Sequence, residues 1–226
     1  VPQSVRAVVF DVNETLSDMS PLRSRLEEVG VSGHLFATWF AGVLRDGLGL
    51  TAAGAYADFQ ELARADLVAL LAATDGVNRD VESAAEHVLD GLSRLAVHPD
   101  VAEGVHDLRE AGLRLATMTN GSASMTRGLL SRAGLLDSFE ALLDVSGPRV
   151  WKPAPAAYRY VLDQLEVAPS EALLVAVHPW DIDGARRLGM QAAWLHRGRQ
   201  VYPSARTPPT HTSEDLRSLA ELLRNP

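Results

Sequence analysis

The chain has 226 residues, enough for one α/β domain or for a core domain carrying an insert, and its 46% hydrophobic and 22% charged side chains are the balance of an ordinary globular protein. A formal net charge of −8, with no basic stripe to offset it, argues against nucleic acid or an anionic membrane as partner. Cysteine is absent, which excludes disulfides and thiolate metal sites; no apolar run reaches the roughly 20 residues needed to span a bilayer, and VPQSVRAVVFDV lacks the form of a signal peptide, so a cytoplasmic location is expected.

Residues 5–10 (VRAVVF) are apolar and β-branched, the pattern of a buried parallel strand, and run into the polar, turn-prone Asp11-Val12-Asn13-Glu14-Thr15. From about 20 to 97 the period is helical. Leu22, Leu26 and Val29 share one face, Leu35, Trp39 and Val43 another, and further helices are predicted over about 54–73 and 80–96. After His98-Pro99-Asp100, helix and strand alternate. The pattern predicts a helix over 101–111 closed by Gly112, a strand over 113–118, and a helix over 122–133 closed by Gly134. A short strand over 139–145 follows, then a helix over 154–165 with Pro153 and Pro155 near its start. Next come a strong strand over 172–177, a helix over 182–188 closed by Gly189, and a strand over 191–195. Residues 197–213 read as loop, and a last helix is predicted from Ser213 to about Arg224.

Such alternation with short connections implies a parallel sheet covered on both faces, a Rossmann-like doubly wound α/β core. The helical block interrupts it after the first strand. Residues 1–16 and 98–226 are therefore expected to form the core and 17–97 an inserted helical cap. Ligands of such sheets bind beyond the carboxyl ends of the strands. Asp11, Thr119-Asn120 and the run from His178 to Asp181 all fall at that edge, and the loop before the 154–165 helix must bring Lys152 there.

Taken singly, each cluster has a bland reading: Asp11 as a turn former, Thr119-Asn120-Gly121 as a turn, Trp151-Lys152-Pro153 as a surface loop, Asp181 as a helix cap. Together their chemistry is complementary. A carboxylate can attack an electrophilic carbon or phosphorus to form an ester that water cleaves. A lysine can stabilise the carboxylate and the developing charge, hydroxyls such as those of Thr15 and Thr119 can orient it, and a second carboxylate can position the lysine or the water. Of 21 basic side chains, Lys152 is the one lysine. Arginine is forked and permanently charged, whereas lysine is a compact point charge, so its survival among 20 arginines marks the position.

The ordered set FDVNETL, LATMTNG, WKP and VHPWDIDGA resembles the four motifs of the haloacid dehalogenase-like hydrolase superfamily, across essentially the whole chain. The resemblance implies Asp11 as nucleophile, Thr119 as the second-motif hydroxyl, Lys152 as the third-motif lysine and Asp181 as the fourth-motif carboxylate. Most members of that superfamily are Mg²⁺-dependent phosphatases, with an acidic residue two positions after the nucleophile and a Gly-Asp pair before the last carboxylate. Here those places hold Asn13, which cannot ionise, and Ala176-Val177, which offers a hard cation no side-chain oxygen. Asp183 is the one nearby substitute. The metal-independent L-2-haloacid dehalogenases are a better match. Their fourth motif resembles Ala176-Val177-His178-Pro179-Trp180-Asp181, and they place a tyrosine six residues after the lysine, as Tyr158 stands here. In that branch Asp11 would displace halide from C2, and water would hydrolyse the ester at Asp11 itself, with no cofactor.

The departures from that branch concern substrate. Asn13 stands where an aromatic residue is usual, and Trp39-Phe40 where an arginine follows the tryptophan to receive the substrate carboxylate or the halide. His178 replaces an asparagine, and Ala176 a serine. If His178 faces Asp11 it is a candidate base for the water near neutral pH, or a proton donor to a leaving nitrogen or oxygen. Asn13, Thr15, Trp39, Phe40, Asn120, Tyr158 and Trp180 are the candidate substrate-binding residues, with Phe59 also near the pocket. Competing readings are hydrolysis of another carbon electrophile such as a small ring or activated ether, a Mg²⁺-dependent phosphatase, and a noncatalytic binding protein. A small molecule is the expected partner, and homodimers are common in the related branch.

Overall fold

The computed structural model describes residues 5–198 and 200–224; the remaining ends of the expected core segments lie outside the described residues. Five strands of the core follow the sequence pattern: β1 (Ala7–Phe10), β2 (Arg114–Thr119), β3 (Ala141–Asp144), β4 (Ala172–Ala176) and β5 (Gln191–Leu195). A sixth, β6 (His211–Ser213), falls inside the stretch read as loop and pairs in parallel with β5 at the sheet edge. All pairings are parallel and the order is β3-β2-β1-β4-β5-β6. β1 therefore lies between β2 and β4, where the winding of the sheet reverses.

Strand side chains alternate between two apolar layers. Val8, Phe10, Leu173 and Val175 pack with Val105 and Leu108 of α5 (Val101–Glu110) and Leu219 of α9 (Leu216–Arg224). Ala7, Val9, Leu174 and Ala176 face the opposite layer, with Val161 of α7 (Pro155–Leu165) and Ile182 of α8 (Pro179–Arg187). α6 (Ala123–Arg132) follows β2, and the glycines expected to close α5 and α6, Gly112 and Gly134, have φ of 79° and 70°. α8 starts three residues earlier than its sequence period suggests, because Pro179 opens its first turn and His178 is its N-cap.

Between β1 and α5 lie α1 (Pro21–Glu28), α2 (Leu35–Ala52), α3 (Phe59–Ala72) and α4 (Val81–Asp90), the last running into a 3₁₀ turn over Gly91–Arg94. The chain leaves and returns at one point: Ser17 and Val97 form an antiparallel bridge, Asp18 N–H donates to Ala96 O, and His98 N–H to Leu16 O, both at 2.9 Å. Trp39 is buried where α2 meets α3, its indole N–H donating to Ala63 O at 2.9 Å. Trp151, just before Lys152, packs against α2 and reaches the α2–α3 connection, its indole N–H donating to Ala57 O at 3.0 Å. No helix among the described residues is long and apolar enough to cross a membrane.

Candidate active site

β1 delivers Asp11 to the centre of the sheet's carboxyl edge, where it is 3% exposed. Both of its oxygens are held. Lys152 Nζ donates to Oδ1 at 2.9 Å; Thr15 Oγ1 donates to Oδ2 at 2.7 Å and His178 Nδ1 to the same oxygen at 3.2 Å. Thr15 in turn accepts the Val177 N–H at 3.2 Å, so the hydroxyl that orients Asp11 is fixed to the end of β4.

Lys152 has no exposed surface and bridges two carboxylates, with Nζ 2.6 Å from Asp181 Oδ2. Its backbone is clamped by Asn120, which accepts the Lys152 N–H at 2.8 Å and donates to Lys152 O at 3.1 Å. Asp181 does not cap α8. It sits buried in the first turn, and Tyr158 OH donates to its Oδ1 at 2.6 Å. The remaining expected site residues frame this cluster. Trp180 stacks beside His178 with ring centroids 5.2 Å apart, and the Phe40 ring lies 6.2 Å from the imidazole. Asn13, in the turn after β1, reaches the turn after β2, its Nδ2 3.2 Å from where a side chain on Gly121 would begin. Thr119 uses its hydroxyl to accept the Gly121 N–H at 2.9 Å and makes no hydrogen bond to Asp11. Trp39 is engaged in helix packing, and Arg45 is exposed and paired with Asp46.

Glu14 is the partner that the sequence pattern did not reveal. It has φ of 61°, and its Oε2 accepts from His178 Nε2 at 2.9 Å. The imidazole is thus bracketed by two carboxylates, Asp11 on Nδ1 and Glu14 on Nε2. Burial opposes a charged ring, but the hydrogen bonds and charges of Asp11 and Glu14 win and raise its pKa to about 9. While Asp11 is a carboxylate, that value keeps the ring an imidazolium at neutral pH. Burial likewise opposes ionisation of Asp11, yet the charge of Lys152 and the hydrogen bond and charge of His178 hold its carboxyl well below the usual range. Burial, with the neighbouring Asp11 charge, raises Asp181 despite the opposing Lys152. Asp11 is therefore ionised, desolvated and fixed, the state a carboxylate nucleophile requires.

A cavity of about 410 Å³ is lined by His178 and Glu14 and walled by Arg23, Phe36 and Arg197. Arg197 is occupied by Asp100, at 2.7 and 3.0 Å. Arg23 lies over the Phe36 ring, 5.3 Å from its centroid, and pairs with no carboxylate among the described residues.

The donors about Asp11 do not fit Mg²⁺. Val177 stands where an acidic ligand would be needed, Asn13 cannot serve as the acid for a phosphate leaving group, and His178 adds a second cation to the carboxylate beside Lys152. Asp183 is turned elsewhere, accepting from Thr207 N–H at 2.8 Å and Arg187 Nε at 2.9 Å.

The profile of the haloacid dehalogenase-like hydrolases matches residues 5–189. The chain is 30% identical over 227 residues to (S)-2-haloacid dehalogenase 1 of Pseudomonas sp. strain CBS-3, covering 97% of this chain and 96% of that one. It is 33% identical over 195 residues to the (S)-2-haloacid dehalogenase of Xanthobacter autotrophicus, covering 85% and 76%. Among solved structures it resembles the Xanthobacter autotrophicus L-2-haloacid dehalogenase with chloropropionic acid covalently bound, at 27% identity and a TM-score of 0.87 over 98% of this chain and 99% of that one.

Proposed function

The chain belongs to the haloacid dehalogenase-like hydrolases, and from that premise we propose that it removes halide from small L-2-haloacids without a metal, through an ester on Asp11. The observation that carries the reading is the clamp on Asp11. An ionised, buried carboxylate held by Lys152, Thr15 and His178 is a preorganised nucleophile, and its surroundings favour cationic side chains over a divalent cation. Attack of an Asp11 oxygen on C2 expels halide, which needs no proton. Water then adds to Cγ of the ester, and Lys152 lies where the resulting oxyanion forms. Asp181 and Tyr158 hold the lysine in place. Thr119 and Asn120 act through backbone, by shaping the turn after β2 and by clamping the Lys152 peptide.

Phe40 cannot receive an anion. In this reading Arg23 takes the substrate carboxylate from the cavity wall, while Phe40, Asn13 and Trp180 border the reacting centre and Trp39 supports Phe40 from behind. Residues 17–97 then act as a cap over a core of 1–16 and 98–226. The substrate is small enough for the 410 Å³ cavity and reaches Asp11 past His178 and Glu14. A cytoplasmic protein with no nucleic-acid partner, assembling as a homodimer, accords with this reading.

Halide release from 2-chloropropionate enantiomers, measured with EDTA present and beside a panel of phosphate monoesters, tests it. We expect release from the L enantiomer that survives EDTA and is abolished in Asp11→Asn, with a raised KM and a smaller change in kcat in Arg23→Ala. Phosphate release that depends strictly on Mg²⁺ would overturn the reading.

A further inference from the structure

We propose that His178, oriented by Glu14, is the base that activates the hydrolytic water, and that it becomes a base only when Asp11 has been esterified. The proposal rests on the Asp11 ester of the preceding reading. Three observations lead to it.

The first is orientation. Glu14 Oε2 accepts from Nε2 at 2.9 Å, so the proton on that nitrogen is retained and Nδ1 is the one that exchanges. Nδ1 lies 3.2 Å from Asp11 Oδ2, close to the Cγ that water must attack. A carboxylate holding one ring nitrogen while the other faces the reacting centre is the arrangement of an orienter and its base.

The second is that the other candidate is occupied. Asp181 has no exposed surface; Lys152 takes its Oδ2 at 2.6 Å and Tyr158 its Oδ1 at 2.6 Å. Both oxygens are engaged, and neither is open to solvent. His178 is 13% exposed and lines the cavity, so both a water and a departing proton have a route.

The third is charge. The groups facing the ring are Asp11 and Glu14 from the segment after β1, Lys152 beyond Asp11 from the loop before α7, and Asp18, Arg23, His98 and Arg197 around the cavity. His178 is also the N-cap of α8, the positive end of a helix. Of its two bonded anions, Asp11 disappears as a charge on esterification. The imidazolium then keeps Glu14 alone, against a helix terminus and a buried lysine, and sheds its Nδ1 proton.

The protons balance. An Asp11 oxygen bonds to C2 as the carbon–halogen pair leaves with halide, and His178 releases one proton through the cavity. Neutral Nδ1 takes a proton from water as the water oxygen bonds to Cγ, and the carbonyl pair moves onto oxygen beside Lys152. The oxyanion collapses, the bond from Cγ to the alkyl oxygen breaks, and the alkoxide takes the proton from Nδ1. Asp11, now a carboxylic acid, returns its proton to His178. The sum is haloacid and water to hydroxyacid, halide and one proton.

With L-2-chloropropionate, His178→Gln should release one halide per site in a burst and then turn over at least about 100-fold more slowly than wild type, while the peptide carrying Asp11 gains the mass of chloropropionic acid less HCl. A merely structural histidine would slow both steps together and leave no adduct; that result would overturn the proposal. The switch is read without substrate by titrating ¹⁵N-labelled His178 by NMR in wild type and in Asp11→Asn, whose neutral amide imitates the ester. We expect the variant's imidazole to titrate more than one unit lower, and equal values would overturn the proposal. If wild type released no halide, the dehalogenase reading would fail, and the titration alone would then decide the switch.

Discussion

Lys152 joins two carboxylates through one nitrogen, with 2.9 Å to Asp11 and 2.6 Å to Asp181 and no exposed surface. Burial disfavours its charge, but the charges of Asp11 and Asp181 overcome this and raise its pKa. A compact ammonium suits that space, whereas a planar guanidinium presents the same charge on a larger fork that cannot sit between both oxygens. Lys152→Arg is accordingly expected to lose at least about 100-fold in kcat while keeping its circular dichroism spectrum; activity within a few-fold of wild type would remove the point-charge argument. The lysine was legible in sequence because its chemistry is singular among 20 arginines. Glu14 was not, since a glutamate in a polar turn looks solvated. Only its left-handed φ of 61° and the return of β4 beside it turn the side chain toward His178. His178 was legible as a position but not as a charge state, which two carboxylates distant in sequence from it decide.

Elements meet the site through absent side chains as well as present ones. A Cβ on Gly184 of α8 would fall 2.5 Å from Tyr158 OH and 2.6 Å from Pro153 Cβ, so the glycine lets α8 press Asp181 onto its tyrosine. Gly184→Ala should displace Tyr158 from Asp181, destabilise the chain by about 1–3 kcal/mol in urea denaturation, and lower kcat more than the stability loss alone explains. Full activity in that variant would show that the tyrosine bond is dispensable. Gly47 of α2 makes the same allowance for the Trp151 ring, which ties the helical block to the loop carrying Lys152. The sequence pattern could not foresee these approaches, because they join segments far apart in the chain. What it did foresee depended on local period: the buried strands, the α5 and α6 glycine stops, and the buried faces of α1 and α2. β6 escaped because three residues, His211-Thr212-Ser213, carry no apolar alternation and become a strand only by pairing with β5.

At the scale of the whole molecule, the buried charges make stability depend on pH in a direction that can be worked out. Asp11 is held low, so its contribution is present above the ordinary carboxylate range and is lost only as pH falls through its depressed folded value. Asp66 behaves oppositely: burial and its hydrogen bond with Asp46, between α2 and α3, raise it to about 6. Its contribution is present at low pH and is lost as pH rises through about 6. His178 is raised from 6.5 to about 9, so its contribution is complete below 6.5 and disappears as pH climbs through 9. That contribution amounts to about 3 kcal/mol, on the order of 5–10 °C in Tm for a chain of this size. Calorimetry at intervals from pH 6 to 10 should therefore show wild type losing stability on the alkaline side, steepest between about 7 and 9. His178→Gln should start lower and lack most of that slope, because the titrating cation is gone while Asp66 and the exposed groups remain. Parallel curves for the two proteins would mean that His178 is not an imidazolium between Asp11 and Glu14. The enzyme would then lack the stored proton that esterification of Asp11 is proposed to release.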